Sequence, residues 1–224
     1  MQSEAGHTPE GMRADAEVDL LGVLAYGELT AFNRLAADAW LAPTLSGRAA
    51  LARMAAAEIG HFGRLVERLE TIGVSPDEEM EQFVAPLDAF HESTLPGTWL
   101  EGLVKAYVFD GIAADFYSEI AGWLPVPTHD LVLDVLKDTG YAAFAVHEVT
   151  SAIGTDDRLG ARLSLWSRRL LGEALSQAQH IAAERDALTE LIITESGDLT
   201  GVGALFRRLT DAHTARMRTL GLSG

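Results

Sequence analysis

Acidic residues placed in the middle of apolar helical stretches constrain this chain more than any other feature. An ionised carboxylate is costly to bury unless it is paired or bound to a metal. Yet Glu28 lies within Leu21-Gly-Val-Leu-Ala-Tyr-Gly-Glu-Leu-Thr-Ala-Phe, and Asp110 within Tyr107-Val-Phe-Asp-Gly-Ile-Ala-Ala-Asp-Phe. Glu58 and His61 stand three apart in the Ala-rich run Arg53-Met-Ala-Ala-Ala-Glu-Ile-Gly-His-Phe. Residues at that offset share a helix face and can address one ion. Asp138-Thr-Gly-Tyr141 repeats the offset, twenty-eight residues after Asp110, as Glu58 follows Glu28 by thirty. One carboxylate on a helix and a carboxylate-x-x-ligand motif on the next, given twice, is the layout of a di-metal four-helix bundle.

The rest of the chain fits an all-α fold. Alanine and leucine dominate and β-branched alternation is scarce, which favours helix throughout. Leu20, Leu21, Leu24, Leu29, Phe32 and Leu35 recur near helical spacing and predict a helix over 16–40. Thr44 or Ser46 is positioned to cap a second helix over 47–72, ended by Gly73. Residues 74–96, with Pro76, Pro86 and Pro96, are expected to form a long crossover holding only two weak helical fragments. Further helices are expected over 99–123, 128–153, 157–193 and 200–220. Residues 1–14 read as a disordered tail, and 15–224 as one domain. Its core bundle spans 15–154, with two appended helices over 157–222.

Composition narrows the function classes. The formal charge is −16, with 17 basic against 33 acidic residues. Non-specific nucleic-acid affinity comes mainly from clustered Lys and Arg, so a nucleic-acid partner is disfavoured. The only candidate basic patches are Arg162, Arg168 and Arg169, or Arg207 and Arg208 with Arg216 and Arg218. No cysteine is present, which excludes disulfides, zinc–thiolate sites and iron–sulfur clusters. The polar opening residues lack a secretory leader's apolar segment, and no uninterrupted apolar run reaches membrane-spanning length. The expected location is the cytoplasm. No Gly-rich phosphate loop, Gly-x-Ser-x-Gly elbow or zinc-finger spacing occurs.

The candidate metal ligands are therefore Glu28, Glu58, His61, Asp110 and Asp138, with Tyr141 as a further candidate in phenolate form. Hard carboxylates with imidazole suit iron or manganese. Three states stay open: two metals, one metal held by Glu28, Glu58 and His61, or an empty site of protonated carboxylates. Ala55, Ala56, Ala57 and Gly60 are read as allowing close helix approach, and Gly27 and Gly111 as leaving room beside carboxylates. Glu173, Gln177 and His180 share a face of the 157–193 helix, read as solvated or inter-subunit.

Taken together, Tyr26-Gly-Glu28-Leu, Arg53-Met-Ala-Ala-Ala-Glu58-x-x-His61-Phe, the segment from Leu100 through Asp110 to Tyr117, and Asp138-Thr-Gly resemble a known group. They look like the actinobacterial ferritin-like proteins classed as similar to tRNA 2-methylthio-isopentenyl-adenosine hydroxylase. The likeness spans about residues 16–190. It implies a ferritin-like four-helix bundle with a long crossover between its second and third helices. It also implies a non-haem di-iron centre that activates dioxygen, with tRNA as substrate. Glu28, Glu58, His61, Asp110 and Asp138 match the ligand pattern, whereas the family pattern has histidine where this chain has Tyr141. Two function classes follow. One is an iron-dependent monooxygenase, hydroxylase or oxidase acting on tRNA or a small molecule. The other is a metal-poor ferritin-like binding or structural protein, dimeric through its last two helices.

Overall fold

The computed structural model describes residues 8–137 and 140–223, with backbone alone at 9, 157, 177–183 and 199. These residues form nine α-helices and one 3-10 turn, with no strand among them. The helices are α1 (Pro9–Asp38), α2 (Leu45–Thr71), α3 (Pro76–Ser93), α4 (Trp99–Ala121) and α5 (Val126–Val135). They are followed by α6 (Tyr141–Ile153), α7 (Asp157–Glu184), α8 (Asp186–Glu195) and α9 (Leu199–Thr219). None is long and apolar enough to cross a membrane.

Three sequence expectations are corrected. The first helix begins at Pro9, inside the stretch read as a tail. Thr8 caps it by accepting from the Gly11 amide at 3.2 Å, proline sits in the first turn where its missing N–H is harmless, and Met12 is buried. Second, residues 76–93 form one continuous helix in place of the two fragments. Pro76 and Asp77, Glu78 and Glu79 start it, suiting the positive end of the helix dipole. Met80, Phe83, Leu87 and Phe90 then bury at helical spacing, and Pro86 is tolerated inside it.

The third correction bears on the site. The helix expected over 128–153 is two helices, because α5 ends at Val135 and α6 starts only at Tyr141. Gly140 lies between them at φ 92°, a conformation that L side chains avoid. Likewise the helix expected over 157–193 divides at Arg185 into α7 and α8.

α1 packs along α2, with α3 and α8 also against it, while α4 is flanked by α5, α6, α7 and α9. The helices expected as appendages are thus part of the packing. Leu163 and Leu170 of α7, and Leu205, Leu209 and Met217 of α9, are buried within the chain.

The core divides into two apolar clusters at different levels. One takes Leu20 to Ala25 of α1, Leu65 and Leu69 of α2, Phe83 of α3 and Ile120 of α4. The other takes Leu35 of α1, Leu51 to Ala55 of α2, Leu103 to Val108 of α4, and α6. Between these levels lie the stretches of α1, α2 and α4 that carry Glu28, Glu58 with His61, and Asp110. Glu28, Glu58 and His61 thus lie at the level where one apolar cluster gives way to the other.

Close approach uses glycines other than those expected. A Cβ on Gly22 would stand 2.6 Å from Glu79 Cγ and 3.0 Å from a Phe83 ring carbon, so α1 and α3 meet there. A Cβ on Gly60 would meet nothing within 4 Å, and Ala56 and Gly60 face outward, whereas Gly27, also with nothing within 4 Å, leaves the room expected beside Glu28.

A second buried polar cluster sits between α3 and α4. Lys105 donates from Nζ to the Thr94 carbonyl at 2.9 Å. Burial, with Arg34 nearby, lowers its pKa to about 8. Beside it His91, only 6% exposed, is pushed down to about 3 by burial and by the charges of Lys105 and Arg34. Between pH 6.5 and 3 the unfolded chain therefore takes up a proton at this histidine that the folded chain refuses. Stability should fall on acidification through that window by about 1.4 kcal/mol per pH unit from this group alone. Asp19, raised to about 6 mainly by burial, works in the opposite sense below pH 6, so the comparison has to isolate His91. Urea unfolding of wild type and His91→Gln at pH 6.5 and 5 should show wild type losing about 2 kcal/mol more than the variant. Parallel losses would contradict the assignment.

Candidate metal centre

Glu28 projects from α1, and Glu58 and His61 from adjoining turns of α2. These three form a group whose ligating atoms all lie within 4.8 Å of one another. His61 Nδ1 is 3.5 Å from Glu28 Oε2 and 3.5 Å from Glu58 Oε2. The side chains are mostly buried, at 16%, 12% and 16% exposure for His61, Glu28 and Glu58. At those distances the groups attract through charge without aligned hydrogen bonds. Glu28 Oε2 and His61 Nδ1 are buried with no hydrogen-bond partner.

That arrangement is poor for a protein left to itself. A buried polar atom without a partner costs about 1–3 kcal/mol. The protons distribute accordingly. Burial pushes Glu28 up to about 9, with Glu58 adding to the rise and His61 opposing it. Glu28 first, then Glu58, lift His61 to about 9 against its own burial. Glu58 lies below the usual carboxylate range, because His61 and Glu28 outweigh the burial that opposes its charge. The trio is thus near neutral at pH 7 only by holding protons. A divalent cation would satisfy the unpartnered atoms and displace those protons. Two carboxylates and one imidazole are donors that iron or manganese accepts, so the residues fit such an ion.

The trio lines a cavity of about 250 Å³ that reaches α4, α5, α6 and α9. Its walls are largely apolar, including Val23, Leu24, Leu87, Ala113 and Val135. Asp110 lines the same cavity but is exposed and stands outside the close group. Asp138 lies outside the described residues, as do the side chains of Gln177 and His180. Among the described residues, the acids that meet at His61 are Glu28 and Glu58.

Tyr141 also lines the cavity, but its hydroxyl donates to the Leu103 carbonyl at 2.9 Å. Burial, with Asp110 and Asp38 nearby, raises its pKa well above the phenol value. The phenolate form expected of a ligand is therefore opposed, and the proton already serves α4. Removing only that hydroxyl, in Tyr141→Phe, should cost about 1–2 kcal/mol in urea unfolding and leave metal content unchanged. Loss of metal in this variant would restore Tyr141 as a ligand.

Residues 12–195 match the sequence model of the ferritin-like domain of actinomycetes. The chain belongs to this family. The match covers most of the chain, including Glu28, Glu58, His61 and Asp110, and agrees with the all-helical architecture. A search among functionally curated proteins found no match.

Two residues that line the cavity, Arg216 and Tyr117, are not among the ligands expected from sequence. Arg216 of α9 lines the cavity, although it was read only as part of a surface basic patch. The available signal was Gly111, read as space for a carboxylate. A Cβ there would lie 2.5 Å from Arg216 Nε. Tyr117 is also in the lining. Glu173, expected on a solvated or inter-subunit face, accepts from Ser93 Oγ at 3.3 Å.

Proposed function

We propose that this ferritin-like protein is an iron-dependent, dioxygen-using oxidase or hydroxylase that works with one metal ion, held by Glu28, Glu58 and His61. The supporting observation is the convergence of these ligating atoms within 4.8 Å, with two of them buried and lacking hydrogen bonds, on the wall of an apolar cavity. Manganese would satisfy the same donors.

Iron bound there would supply the one-electron and dioxygen chemistry that no side chain provides. The chain's own residues do the rest. Glu28 and Glu58 bring two negative charges from separate helices, and His61 offers a neutral nitrogen once its proton leaves. The apolar walls limit water around a bound substrate and strengthen the electrostatics inside. Tyr141 keeps its proton on the Leu103 carbonyl and so holds α6 against α4 without competing for the metal.

The substrate in this reading is a small molecule. A charge of −16 opposes a polyanion such as tRNA, and the cavity is below the roughly 300–1,000 Å³ of drug-sized sites. The homodimer stays part of the proposal, with Leu165 and Phe206 the exposed large apolar side chains among the described residues of α7 and α9.

The test is anaerobic reconstitution with ferrous iron, desalting and elemental analysis. Roughly one ion per chain is expected from a set of three close ligands. No retained iron or manganese would end the metal reading. Two ions per chain would bring Asp110 and Asp138 back as ligands of a second metal.

A further inference from the structure

We propose that Arg216 anchors the carboxylate of a small monoanionic acid bound in the cavity beside Glu28, Glu58 and His61, so that the substrate is an acid with an apolar body. This rests on reading the cavity as the substrate site. Arg216 belongs to α9 and lines the cavity together with residues of α4. It lies against the α4 backbone at Gly111. A Cβ there would stand 2.5 Å from Nε, 2.6 Å from Cδ and 2.9 Å from Cζ. Any larger residue would have to move the guanidinium, so glycine at 111 and arginine at 216 form one device.

The guanidinium is not used up by the fold. It carries five N–H donors and cannot shed its charge. Nε and Nη2 are buried without a hydrogen bond. Nη2 is 2.7 Å from Asp115 Oδ2, but that oxygen too lacks an aligned hydrogen bond. A purely structural pair would use the fork in the bidentate geometry that suits carboxylate. Here Asp115 engages one corner of the fork at Nη2, the charge is balanced, and Nε makes no hydrogen bond.

The surroundings select the ligand. Leu24, Phe109 and Val135 in the lining accept an apolar body. One guanidinium already facing Asp115 favours a single negative charge over a phosphate dianion. Glu28 and Glu58 do not repel that anion once a divalent ion neutralises them. The other charged groups of the lining, Asp110 and Lys137, are exposed and of opposite sign.

The experiment is calorimetric titration of the anaerobic iron-loaded protein with the straight-chain acids from butanoate to decanoate, and with octanamide as a neutral control. At least one acid should bind saturably, and Arg216→Gln should weaken it by at least about tenfold, as loss of a charge-assisted hydrogen bond implies. Octanamide affinity and iron content should not change. Arg216→Lys keeps the charge without the fork and should bind with intermediate affinity. Gly111→Ala, which displaces the guanidinium, should weaken the acid as well, and these two variants serve if Arg216→Gln does not fold. Acid binding that is equal in wild type and Arg216→Gln would overturn the proposal, as would the failure of every acid to bind wild type. Acid binding that depends on Arg216 in a protein retaining no iron would leave the anchor standing while removing the oxidase reading.

Discussion

Replacing His61 with alanine should leave the protein folded but lower its iron affinity by at least about 100-fold. Loss of groups that merely support a metal ligand already costs 10–100-fold. At an iron concentration that just saturates wild type, the variant should retain less than about a tenth of an ion per chain. His61 is the only imidazole in the close group, and the two carboxylates left behind would repel each other. Helical circular dichroism should be unchanged, since His61 Nδ1 makes no hydrogen bond within the fold. Asp110→Asn is the informative contrast. Asp110 lines the cavity outside the close group, so its replacement should change iron content by less than about twofold. If Asp110→Asn empties the site as fully as His61→Ala, the ligand set is wider than the three residues proposed.

Truncating Phe83 should produce the largest loss of stability. Its side chain is fully buried where α3 meets α1 at Gly22, and the Arg185 guanidinium lies 5.0 Å from its ring centroid. Phe83→Ala should cost about 3–5 kcal/mol, because the transfer energy of the ring and the cavity left behind add. For a chain of this size that lowers Tm by about 10 °C. Leu45, 79% exposed, is the control, and its alanine variant should stay within about 0.5 kcal/mol of wild type. Differential scanning calorimetry on both variants decides the matter. A Phe83→Ala shift no larger than that of Leu45→Ala would mean that α3 is a loosely held crossover after all.

The fate of α3 shows where sequence reasoning stops. Three prolines between 76 and 96 argued for a crossover with only two short helical fragments, but two of them lie outside the helix interior. Pro76 sits at the α3 start, and Pro96 follows its end. The apolar spacing from Met80 to Phe90 carried the opposite signal and was the better guide. Gly111 was noticed as a glycine beside an acid, but nothing within α4 shows that a guanidinium from α9, a hundred residues later, fills that space.

The pairing of Glu58 with His61 was legible because it is local. An offset of three fixes Glu58 and His61 on one face of any helix, and the apolar surroundings of Glu28 require its burial to be offset. The all-helical class was legible for the same reason, since composition and periodicity act within a few turns. The setting of Tyr141 was not, because it depends on neighbours distant in sequence. Only the packed structure shows that α6 begins at Tyr141, that its hydroxyl meets the Leu103 carbonyl, and that Asp110 stays exposed. Backbone spacing dictates which side chains share a helix face. How helices far apart in the chain rotate and stack, with every buried polar group needing a partner, dictates which of those faces meet.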